Sequence, residues 1–434
     1  MAAPKHDWSI PDRPGLAIEE EGYNKAAGTA PVLGVQEAEG FAESIRRFRV
    51  EEVGSSEWLE QHRRLVKLNL QAHQSAMARS DEFVLEALLT FDKVHDIVHE
   101  LLLVEAWKEF VLPVLLKQKG LSSGSNNMRL YFMLYHEATV ANLLEVLLYH
   151  AHCCSEMGDA ALELVDYCAR KLVLLNSTRK FSKPASKVGD AKAFAKELEQ
   201  RDPVKELQDQ QDDIEFRVCI TAVTLLRYLC EHISQLPLSA MTRVLETHDV
   251  LLGLVPLIEN PPWTVRTEEG KWKKYMDFKW EEVRPADLLK VTQTEAQVWL
   301  AVFFITCNSD CRERYAFNSF RKECLLRSRK YINDLLLDQL PVLADVQRYM
   351  DELALMEVPE AAQTPSGGLL MQAVPIMREA IIKGKDWGAV ADEQMEQIFS
   401  HVTDATDTDL RKISQLFCDD SLEDLLAPQD DSQQ

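Results

Sequence analysis

The 434 residues carry 70 acidic against 48 basic side chains, a formal charge of −22, with 46% hydrophobic and 27% charged residues. That length and composition predict a sizeable buried core, built as roughly two to four ordinary domains or as one extended repeat-like body. The negative total excludes broad nucleic-acid binding, which needs a positive surface against phosphate, and it favours solubility and basic partners.

Residues 1–33 mix Pro, Gly, Ala and charge without periodicity, which predicts a disordered arm. The opening lacks the apolar stretch of a secretion signal, and the most apolar runs, 250–258 and 298–307, are too short for a bilayer, so no membrane insertion is expected. From Gln36 the apolar residues recur at helical spacing up to Gly54, and Ser56 reads as the cap of a helix carrying Leu65, Leu68 and Ala72. Further helices are expected over 83–89, 94–116 and 128–152, and then from Ala161 to Leu175. Residues 176–192 hold five Lys or Arg against one Asp and read as an exposed basic loop, either an acidic-partner contact or a solvated insertion. Helical spacing resumes from Val204 to Leu229, followed by two short helices over 238–246 and 250–258, the second kinked or split by Pro256.

Residues 263–283 differ, because aromatics alternate with polar residues around a Glu-Glu-Gly turn, and a small β-hairpin or ordered loop is expected. Helices return over 288–307, 312–327, 331–337 and 342–356. A linker over 357–368 then leads to a C-terminal helical block over 369–426 and an acidic disordered tail over 427–434. Short antiparallel helices recurring every few tens of residues predict an all-α, armadillo/HEAT-like helical solenoid whose body spans 34–356.

No residue pattern supports catalysis or a cofactor. His136-Glu137 opens like the zinc motif H-E-x-x-H, but Val140 stands where the second imidazole is needed. In the run His150, His152, Cys153 and Cys154, residues two apart lie on opposing sides of a helix, and His95 with His99 reads as surface charge beside Asp92 and Asp96. The nine cysteines follow no framework spacing and read as reduced, mostly buried thiols. Trp263, Trp272 and Trp280, interleaved with lysines, read either as the packing face of a hairpin or as a protein-binding ridge.

Several phrases carry a family resemblance: Ser56-Glu57-Trp58 with Gln61-His62 and 67–72; His136-Glu137-Ala138 with Asn142-Leu143-Leu144-Glu145; and Leu164-Val165-Asp166-Tyr167-Cys168. With Pro262-Trp263, Gln297-Val298-Trp299 and 335–341, they preserve their order over most of residues 36–426 and resemble the zinc-finger MYND-domain-containing protein ten family. The resemblance implies an armadillo-like body. It also implies a role as a cytoplasmic assembly factor for axonemal dynein arms, with axonemal dynein chains, chaperones, co-chaperones and other preassembly factors as partners. The family's Cys-rich C-terminal finger has no counterpart, since only Cys418 follows Cys324, so the helical body is expected to carry the activity.

Within that body the candidate interface residues are His136, Asn142 and Glu145. Asn142 and Glu145 share one helix face, and an Asn in a solenoid groove can hold an extended peptide backbone with one donor and one acceptor. Two alternatives remain at this level: a metal-dependent hydrolase with a dispersed His/Asp/Glu site, and a cargo adaptor of the armadillo type unrelated to dynein.

Overall fold

The computed structural model describes residues 31–118, 121, 124–177, 203–267, 269–360 and 373–400. Most of the N-terminal arm, most of the basic loop, much of the linker, about half of the C-terminal block and the acidic tail therefore lie outside the described residues.

The chain opens with α1 (Val35–Ser44) and α2 (Ser56–Ala78). The α2 cap is Ser55 and not Ser56, its hydroxyl accepting the Trp58 backbone N–H at 3.3 Å. After α3 (Phe83–Thr90) comes α4 (Val94–Ala106), which does not run on to 116 as one regular helix. Pro113 has no N–H and crowds the carbonyl four residues back, and the turn before it, Trp107–Val111, is π-helical, with the Leu112 N–H bonded to the Trp107 carbonyl. The long helices α5 (Gly124–Leu148), α6 (Ala160–Leu175) and α7 (Pro203–Glu231) follow, then α8 (Val250–Glu259). Pro256 does not split α8, which continues through it as a single helix.

Residues 263–283 form not a hairpin but a three-stranded antiparallel meander, β1 (Thr264–Arg266), β2 (Trp272–Met276) and β3 (Lys279–Val283). The additional turn is made by Asp277 and Phe278, both at positive φ (47° and 61°), the geometry of a two-residue hairpin turn. Asp277 tolerates that geometry, but Phe278 gives no turn signal where a hairpin would usually carry Gly. Among the later elements are α9 (Gln293–Cys307), α10 (Ser319–Arg327), α11 (Leu343–Leu355), α12 (Met377–Ile382) and α13 (Trp387–Gln394).

The long helices stack in two layers. One runs α2, α5, α7, α9, α11, each packed on the next, and the other runs α4, α6, α8, α10. Cross-layer packing of α4 on α5, α6 on α7, α8 on α9 and α10 on α11 closes one continuous core, in which Trp58, Trp107, Tyr167 and Trp263 are fully buried. The fold is thus all-α and solenoid-like, with one small sheet beside α7 and α9. Each layer buries its helices on several sides, which explains why α5 shows almost no one-sided apolar pattern.

Candidate protein-binding site

The candidate residues of α5 separate according to depth. His136 is fully buried, so it is no surface contact: its Nδ1 lies 2.9 Å from Nδ1 of His62 on α2, and Trp58 packs over its ring at 4.5 Å. One ring must donate and the other accept across that bond, so the two imidazoles hold different tautomers. Burial holds both well below their ordinary pKa, His136 at about 3, and both are neutral. Glu100 of α4 faces the pair, its Oε2 3.4 Å from His136 Nε2, and burial pushes its carboxyl up to about 7 against the opposing charge of His99.

Asn142 and Glu145 are half-buried and lie on the one accessible stripe of α5, with Met128, Tyr131 and Tyr135 before them and Tyr149 just past the helix end. The spacings along this stripe are three, four or seven residues, which is one helical face. Tyr131 and Tyr135 stack at 5.8 Å, Asn142 Oδ1 accepts from Thr221 of α7 at 3.3 Å, and Tyr149 meets Tyr228 of α7 edge-on at 6.0 Å. The stripe therefore follows the seam between α5 and α7. Sequence reasoning found two of its members and missed the tyrosines, although their spacing is written in the chain.

The tryptophans do not form one ridge. Trp263 is fully buried, and its carbonyl accepts the Tyr275 N–H at 2.8 Å. Trp280 pairs directly with Tyr275 across β2 and β3, and both pack on Phe216 of α7, Trp280 stacked at 5.9 Å and Tyr275 edge-on at 4.9 Å. Trp272 is an odd number of residues from Tyr275 and so lies on the opposite sheet face, where the Arg266 guanidinium sits 5.8 Å from its ring. On that same face Lys274 donates to Glu295 of α9 at 3.1 Å.

Beneath the stripe, between the layers, lies a buried ion cluster. Lys108 donates to Glu137 at 2.5 Å and to Glu215, Lys171 reaches Glu137 at 2.8 Å and Glu215 at 2.7 Å, and the Tyr167 hydroxyl donates to Glu137 at 2.8 Å. Burial alone would raise the Glu215 carboxyl, but the two ammonium groups hold it well below the carboxylate range; the same carboxylates raise Lys108 and Lys171 against their own desolvation. Two cations thus balance two anions, each with its hydrogen bonds made. Such a cluster fixes how α4, α5, α6 and α7 meet more than it adds net stability. It offers no open position for a substrate.

The other described histidines lie in separate places, His150 beside His152 at 5.6 Å and His248 on Asp166 at 2.6 Å. His150 pairs with Glu82 at 2.6 Å, and burial pushes the Cys153 thiol up to about 12. Among the described residues, no three His, Cys, Asp or Glu side chains come together as a metal site, and none of the helices is long and apolar enough to cross a membrane.

No family model matches the chain, and no solved structure matches it. Over 345 residues, 79% of this chain and 72% of the relative, it is 32% identical to the zinc finger MYND domain-containing protein 10 homolog of Drosophila melanogaster. An aligned stretch of that length takes in most of the two-layer helical body, and at that identity and coverage the chain belongs to the zinc finger MYND domain-containing protein 10 family.

Proposed function

We propose that this protein is a cytoplasmic assembly factor for axonemal dynein arms, holding dynein chains and presenting them to chaperones and other preassembly factors without turnover of its own. The observation that carries the reading is the similarity to the family over most of the helical body. The stripe along α5 supports the mode of action. Asn142 and Glu145 supply amide and carboxylate groups for a peptide backbone, and Tyr131, Tyr135 and Tyr149 supply rigid aromatic area at little entropic cost.

The test is an affinity capture of the tagged full chain from cytoplasm of a ciliated cell, read by mass spectrometry, with an Asn142→Ala, Glu145→Ala variant beside it. Dynein heavy or intermediate chains recovered with chaperones, and reduced roughly tenfold in the variant, are expected from the loss of two interfacial hydrogen-bonding groups. Capture of chaperones with no dynein chain in either sample would remove the assembly reading. Equal recovery in both samples would move the interface off α5.

A further inference from the structure

The segment from residue 373 to residue 400 crosses the α4–α6 side of the stack, and its two halves are held in different ways. The second half is core. Gln394 is fully buried, accepts from the Trp107 indole at 2.9 Å and donates to the Val50 carbonyl at 2.8 Å; Trp387 stacks on Phe110 at 4.8 Å, and Ile398 and Phe399 are buried. The first half buries little. From Ala373 to Lys385 only Ile381 is buried, and Val374 and Ile376 are 68% and 71% exposed.

What holds the first half is a set of carboxylates on the body. Glu163 of α6 accepts the Met377 backbone N–H at 2.5 Å and that of Arg378 at 3.5 Å. The Arg378 guanidinium donates to Glu105 of α4 at 3.1 Å and to Glu109 at 2.6 Å, and Lys385 pairs with Glu51. Glu51 is thus matched by Lys385, while Glu105, Glu109 and Glu163 together meet one strap cation, Arg378, and Arg170 of α6, which shares Glu105. The surface carries more negative charge than its occupant matches, and α12, with six residues, is too short to be a stable helix by itself. A weakly buried segment held by polar contacts belongs to the least stable parts of a fold.

We propose that the surface formed by Glu105, Glu109 and Glu163 is a docking site for a basic, helix-forming segment of a partner protein, occupied in the free chain by its own residues Met377–Lys385. The strap is a tethered placeholder. A partner segment bearing more Lys or Arg complements the three carboxylates better and displaces it, while Gln394 and Trp387 keep the second half in place. This site lies on the α4–α6 side and is independent of what the α5 stripe binds.

The probe is a labelled peptide with the sequence of residues 373–388, titrated by fluorescence anisotropy into the full chain, into an Arg378→Glu variant, and into that variant with Glu109→Lys added. Hydrogen exchange of the 377–385 amides reports independently whether Arg378→Glu has freed the strap. Because a tethered segment competes at high effective concentration, the freed chain should bind the peptide on the order of tenfold more tightly than the parent. Glu109→Lys, at an exposed rim position that leaves the core intact, should reverse most of that gain. The proposal is overturned if the amides exchange at the parental rate in Arg378→Glu, or if they are freed and the peptide still binds no better. It is equally overturned if the parent chain forms concentration-dependent dimers by light scattering, because the occupant exchanged is then a second copy of this chain.

Discussion

Glu100 shows how a single buried group sets the response of the fold to pH. Its carboxyl titrates at about 7 instead of the ordinary 4.5 because burial disfavours the charged form. Between those two values the folded chain keeps a proton that the unfolded chain has released, so Glu100 lowers stability as pH rises from about 4.5 to about 7. His62 and His136 act in the opposite sense: both stay neutral when buried, and the stability they withhold below the ordinary 6.5 returns as pH rises to that value. Replacing Glu100→Gln removes the first effect and leaves the second in place. The variant should match its parent near pH 4.5, gain on it through pH 7, and stay ahead above that by about 3 kcal/mol. Urea denaturation at pH 5, 6, 7 and 8 measures the difference, and a difference that is constant across the series would show that Glu100 is not shifted. Asp96 is present in both proteins, whereas His99, which the Glu100 carboxylate raises against its own burial, is held lower in the variant, so its titration enters the difference below the ordinary imidazole pKa.

At the scale of the element, a local signal can be read from the chain where a distant partner cannot, although the helix expected from residue 288 begins only at Gln293. Thr292 and Glu295 form a capping box, with the Thr292 hydroxyl accepting the Glu295 N–H and the Glu295 carboxylate accepting the Thr292 N–H, and α9 starts there. The same Glu295 receives Lys274 from β2, so helix start and sheet share one carboxylate. Thr292→Ala should therefore cost about 1 kcal/mol and also loosen the sheet. Faster hydrogen exchange of the β2 and β3 amides, alongside those at the start of α9, is the expected readout; faster exchange of α9 alone would separate the two. The shared face of Asn142 and Glu145 was legible for the same local reason, because three-residue spacing on a helix is geometry. The burial of His136 was not: α5 is packed by α2, α4 and α7, and no periodicity in its own sequence distinguishes the side that meets His62 from the side that meets solvent. Likewise the partner of Lys108 is Glu215, 107 positions away, and only the packing of two layers joins them.

At the scale of the whole molecule, a two-layer stack in which each helix meets mainly its neighbours in the stack has a stability close to a sum of neighbour-to-neighbour terms. The strap breaks that rule on one side only. Gln394 bonds to the Val50 carbonyl 344 positions away, and the Asn126 amide donates to the Phe399 carbonyl at 3.3 Å, so the second half of the strap ties the start of the stack to its C-terminal residues. The helices α9, α10 and α11 receive none of these bonds among the described residues. A Trp387→Ala, Gln394→Ala variant loses one aromatic stack and leaves the Trp107 indole and the Val50 carbonyl unpaired in the core, together about 3 kcal/mol. Amides over 50–59 and 100–112 should then exchange roughly a hundredfold faster, while those of α9 and α11 keep their rates. Equal acceleration at both ends would mean that the stack unfolds as one cooperative unit, and that the strap stabilises the whole body and not the end it touches.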